Sequence, residues 1–157
     1  MKNLAESTST KAQKLESSPF HMGHHLINSL CRRMRLGQET KISPTRIYHY
    51  VQSTWKKQLL PYFLFEQNWI FPQIANPEDT QLLIRQHEKI QRMIQQQDFD
   101  LKTLNRLEEY LEKHVRFESN IQVKLSQSEM VEIKQHLPPV MMQNWTDKFW
   151  LINNTKD

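Results

Sequence analysis

Residues 104–125, LNRLEEYLEKHVRFESNIQVKL, decide the fold. Leu104, Leu107, Leu111, His114, Glu118, Ile121 and Leu125 recur at spacings of three and four, the period of one α-helical face. A helix with such a stripe buries it, and two positions of this stripe carry an imidazole and a carboxylate where leucine is expected.

The upstream connection, Asp98-Phe99-Asp100, is short enough to make the preceding element an antiparallel neighbour. That element opens at Asn76-Pro77-Glu78-Asp79, an N-cap, a proline at the first helical position and two acids in the first turn, and is expected to reach about Gln97. Further back, Ser43-Pro44 starts a helix running to about Ile70, where Phe71-Pro72 closes it. Pro61 lies inside it and is expected to bend or widen it just before Tyr62 and Glu66. A first helix reads from His21 to Leu36, with Gly37 suited to the C′ position. Downstream, Ser128 is expected to cap a short helix through Ile133 or Gln135, and Pro138-Pro139 ends it. The expected fold is all-α: an up-down-up-down four-helix bundle over residues 19–125, after a flexible polar tail over 1–18. Residues 126–157 then supply a short C-terminal helix and an aromatic tail, with Trp145, Phe149 and Trp150 docking on the bundle.

Composition narrows the class. Two glycines in 157 residues, and no Asn-Gly or Asp-Gly pair, leave little room for tight hairpins. A single cysteine, Cys31, closes no intramolecular bridge, and the polar start of the chain has no apolar signal core, so a cytoplasmic address is expected. The most apolar run, Leu59 to Phe65, is flanked by Lys56, Lys57, Glu66 and Gln67 and falls far short of the roughly 18–20 residues that span a bilayer. The net charge of +4 is dispersed. Arg32, Arg33 and Arg35 read as solvated helix faces, and neither a nucleic-acid nor a membrane partner is expected. No nucleotide-binding or hydrolase motif is present; the short loops argue against an elaborate organic substrate pocket, and catalysis is not indicated.

The chemistry lies on the core stripes. In the third helix Leu83, His87, Ile90 and Ile94 share a face; in the second, Tyr48, Val51, Trp55, Tyr62, Glu66 and Trp69 do. In the first, Ile27, Cys31 and Met34 set the buried face, and one turn back it falls on His24, with His25 as the alternative. Tyr62, Glu66, His87, His114 and Glu118 thus join His24 as inward candidates. A buried carboxylate without a partner costs several kcal/mol, and a metal ion offsets that cost. Iron, manganese or zinc takes this mixture of imidazole and carboxylate, and the pairs Tyr62/Glu66 and His114/Glu118 each present two groups from adjacent turns.

These residues resemble the hemerythrin-like, or HHE cation-binding, domains. The resemblance rests on His24-His25, on Tyr62-Phe63-Leu64-Phe65-Glu66-Gln67 with Ile70-Phe71-Pro72, on His87, and on His114-Val115-Arg116-Phe117-Glu118. It implies a four-helix bundle holding non-haem iron, usually a di-iron centre, for oxygen carriage, for sensing oxygen, nitric oxide or iron, or for iron-centre repair. The chain departs from the family pattern at Tyr62, where a histidine ligand is usual, and at Gln67, Gln91 and Ser119. Tyr62 is either a phenolate ligand favouring ferric iron or a core residue bonded to Glu66. A mononuclear iron or zinc site, and a metal-free bundle serving as a protein interaction module, stand as alternatives.

Overall fold

The first helix, α1, spans His21–Glu39 and buries Gly23, Leu26, Ile27, Leu30, Cys31 and Met34 along one stripe. These coordinates belong to a computed structural model that describes residues 20–97, 99–139 and 150. Gly37 does not end α1. It lies inside the helix, where an added Cβ would come within 3.0 Å of both Ile47 and Trp150, so the glycine serves close packing. The chain turns instead at Thr40 and Lys41, the latter in the left-handed region at φ 59°.

The second helical run begins with α2, Pro44–Thr54, whose N-cap Ser43 accepts from the Arg46 N–H. It continues as a π turn over Trp55–Leu59, as α3 over Leu60–Phe65 and as a second π turn over Glu66–Ile70, and closes in a 3-10 turn over Phe71–Gln73. In both π turns the backbone reaches back five residues, from Leu60 N–H to Trp55 O and from Phe71 N–H to Glu66 O. A proline follows each, Pro61 and Pro72, and the wider turn makes room for a ring that would otherwise meet the carbonyl four residues back. The widening also shifts the helical phase. Trp69, expected on the buried stripe, is 37% exposed and stacks on His136, while Ile70 takes the core position.

Helix α4 covers Pro77–Ile94, with Asn76 Oδ1 accepting from Glu78 N–H. Helix α5 covers Leu101–Ser119, with Asp100 capping Thr103. It stops at Asn120, so Ile121 and Leu125 fall outside the helix they were expected to extend. Beyond it, Val123 forms an isolated antiparallel bridge with Ile74. Helix α6, Gln127–Lys134, is capped by Ser126 rather than Ser128.

Among the described residues the structure is all-helical, without strands. Helix α5 packs on α1 and α4, and α2 touches α1, α4 and α5. Arg35 ties α1 to α5 through Glu108 and Glu112, whereas Arg33 is buried and donates to the Tyr50 hydroxyl, so the Arg32–Arg35 stretch is not one solvated face. Trp150 is buried, donates its indole N–H to Arg33 O at 2.8 Å and meets Tyr50 edge-on. The segment 1–18 and the rings of Trp145 and Phe149 lie outside the described residues. No helix among the described residues is long and apolar enough to cross a membrane.

Candidate metal centre

Four side chains from three helical runs converge in the interior. Glu66 opens the second π turn, His87 lies midway along α4, and His114 and Glu118 occupy successive turns of α5. All four are buried, and one ligand atom from each lies within 4.8 Å of the others. Such a cluster could hold a metal ion. A π turn at Glu66 belongs with that role, because an inserted residue re-aims a side chain without breaking the run.

Several polar atoms of the cluster lack hydrogen-bond partners. Both Glu66 oxygens, His87 Nε2, His114 Nε2 and Glu118 Oε1 are shielded from solvent with no aligned hydrogen-bond partner. Proximity does not supply one. His114 Nε2 is 2.7 Å from Glu118 Oε1 but misaligned, and His87 Nε2 stands 3.6 Å from Glu66 Oε2 and 3.8 Å from Glu118 Oε1, beyond hydrogen-bond length. Buried polar atoms are ordinarily satisfied, so five unpaired atoms within one cluster are compatible with metal binding.

Outer residues orient the ring nitrogens. His114 Nδ1 lies 2.6 Å from Gln86 Oε1, an acceptor that keeps a proton on Nδ1, so that on a neutral ring the lone pair sits at Nε2, facing the cluster. Gln67 donates its amide N–H to His87 Nδ1 at 3.1 Å, so that on a neutral ring the proton sits at Nε2 in this arrangement. His24 reaches Glu118 Oε2 at 3.0 Å, on the carboxylate oxygen away from His114. His25 is exposed, as are His21, His49 and His136.

Tyr62 is fully buried one turn before Glu66, with its ring against Phe65. Burial, and then the Glu66 carboxylate, hold its hydroxyl above the ordinary range, so it stays a phenol in the metal-free protein. Gly23 lets α1 approach this corner. A Cβ there would run into the Tyr62 ring and sit 2.7 Å from Glu66 Oε1.

The two carboxylates are pulled apart electrostatically. Burial and then the Glu118 charge raise Glu66 well above its ordinary value. Burial also opposes ionisation of Glu118, but His114, His24 and His87 outweigh it and hold Glu118 low. Burial drives the His87 imidazolium down to about 4, aided by His114 and opposed by Glu118. The cluster is therefore one ionised carboxylate, one carboxyl resisting ionisation and a neutral imidazole, a set that a cation would stabilise in its ligating form.

Gln86 and Gly23 are the site residues that sequence reading missed. Gln86 sits on the Leu83–Ile90 face beside His87, and Gly23 lies four residues before Ile27, so both fall on core stripes. No protein-family model matches the chain, and neither a curated protein nor a solved structure matches it.

Proposed function

We propose that the chain is a hemerythrin-like, non-haem iron-binding protein, a four-helix bundle whose interior ion is held by Glu66, His87, His114 and Glu118. The observation that carries this reading is the convergence of four buried ligand atoms within 4.8 Å of one another, where five polar atoms of the same residues lack a hydrogen-bond partner. Mixed imidazole and carboxylate donors suit iron, with manganese or zinc as chemical competitors. Bound there, iron would supply a redox change and an open position for dioxygen or nitric oxide, which fits sensing or handling of these species.

The chain's own residues do the rest. Gln86 holds the His114 tautomer, Gln67 positions His87, and Glu118 supplies negative charge beside three imidazoles. Glu66 adds a second charge once a cation removes its reason to stay protonated.

As placed, the four atoms suit one ion. A di-iron centre is the second reading, and two contacts favour it: Glu118 places Oε1 beside His114 and Oε2 beside His24. A second ion would draw on His24 and Tyr62.

Thermal unfolding of metal-free chain with added ferrous, manganous or zinc ion tests the reading. Ligand binding to the folded state stabilises it by about 2.7 kcal/mol at roughly 100 times the dissociation constant. The shift is expected in the wild type and strongly reduced in His114→Ala and Glu118→Ala. Equal shifts in all three proteins would overturn it, and no shift with any ion would favour a metal-free interaction module.

A further inference from the structure

Residues of α4 and α5, with Asn120 beyond the end of α5, line a cleft of about 380 Å³. Arg85 of α4 and Lys113 and Arg116 of α5 line it, with no carboxylate in the lining. None of these three cations has an ion pair with another described residue. Three cations around one concavity with no carboxylate in its lining raise the local potential and favour an anion. Tyr110 and Phe117, two turns apart on α5, give the cleft apolar walls, and Lys89 stands 4.4 Å over the Tyr110 ring. The volume is at the low end for a small-molecule site. Helix faces build the cleft without any loop lid.

We propose that this cleft binds a small organic anion, a carboxylate or phosphate carried on a flat apolar body. The charge would engage Arg85, Lys113 and Arg116, and the body would lie against Tyr110 and Phe117. Gln86 and His114 also line the cleft, so its occupant would lie against one of the four candidate ligands and the residue that holds it. That link to the interior rests on the proposed metal reading; anion binding does not.

Benzoate, phenyl phosphate and neutral benzamide, titrated into the metal-free chain and followed by backbone amide shifts, test the proposal. Both anions are expected to saturate a single site, with the largest shifts around residues 82–86 and 110–120; the tighter of the two identifies the preferred acid. Benzamide is expected to bind at least about tenfold more weakly, and Lys113→Gln with Arg116→Gln to weaken both anions by about tenfold or more without changing the unfolding temperature. Absence of saturable shifts, equal binding of benzamide, or unchanged affinity in the double variant would overturn the proposal. Because the chain carries no metal in this assay, such a result leaves the metal reading to its own test.

Discussion

His114 Nδ1 and Gln86 Oε1 lie 2.6 Å apart across the α4–α5 contact, and this one bond decides which imidazole nitrogen faces the cluster. The glutamine is itself buried, so the acceptor is fixed in place. Ring orientation at the candidate centre is thus set by a neutral residue that cannot bind the ion through the same atom.

Gln86→Leu removes that acceptor at similar volume. Loss of a partner to a ligating histidine typically lowers metal affinity by about 10- to 100-fold. Competition with a chromophoric chelator is expected to show a loss in this range, with α-helical circular dichroism retained. Wild-type affinity in Gln86→Leu would show that the tautomer needs no such support.

Gly23→Ala places a methyl group against the Tyr62 ring and the Glu66 carboxylate. Overpacking of this kind costs about 1–3 kcal/mol, so denaturant titration is expected to show a lower midpoint. The cost should persist in Gly23→Ala/Tyr62→Phe, which keeps the ring, and shrink in Gly23→Ala/Tyr62→Leu. Tyr62→Phe alone is expected to keep its metal content, as a packing role requires, and to show no loss of a phenolate-to-iron absorption band.

The pH dependence of the metal-free protein has two opposed branches. His87 titrates at about 4 when folded against 6.5 ordinarily, so between these values the unfolded chain binds the extra proton. Its contribution is full above about 6.5 and is lost as pH falls, by an amount on the order of 3 kcal/mol. Glu118, held low, also stabilises at higher pH and loses that effect below its ordinary 4.5. Glu66, held high, acts oppositely: its contribution is present below 4.5 and is lost as pH rises. Glu66→Gln removes this opposing branch. At neutral pH the metal-free variant is expected to be more stable than wild type by about 1–2 kcal/mol while binding metal less tightly. Lower stability together with unchanged metal affinity would contradict the assignment of Glu66.

His24 and His25 are adjacent in sequence but differ in placement. His24 touches Glu118 at 3.0 Å, whereas His25 is exposed. His24→Ala is expected to reduce metal affinity, and His25→Ala to leave it within error, in the same chelator competition. The reverse pattern would mean that α1 presents the other face.

Much of this arrangement is written in the spacing of polar residues among apolar ones. His114 and Glu118 interrupt a leucine stripe that can only face inward, and His87 does the same on α4, so a core of uncompensated polar groups is readable before any coordinates. The limits of the reading have local causes. A period of 3.6 carried past Glu66 mispositions Trp69, because the π turn changes the number of residues per turn. The same period carried past Ser119 includes Ile121 and Leu125, which are partly buried from a non-helical segment. Gly37 fits a helix stop by residue type, yet its role depends on Ile47 and Trp150, which are distant in sequence. The Gln86–His114 pair joins two helices, and nothing within either helix alone announces it.

The central claim is that Glu66, His87, His114 and Glu118 hold an ion, and metal content per chain tests it most directly. The metal-free protein would be loaded with ferrous iron without oxygen, freed of excess ion and measured by elemental analysis beside Glu118→Ala. The account predicts about one ion per wild-type chain and a large loss in the variant, as expected when one donor of a buried set is removed. Two ions per wild-type chain would move the assignment to the di-iron arrangement with His24 and Tyr62. No bound iron, or equal iron in wild type and Glu118→Ala, would contradict it.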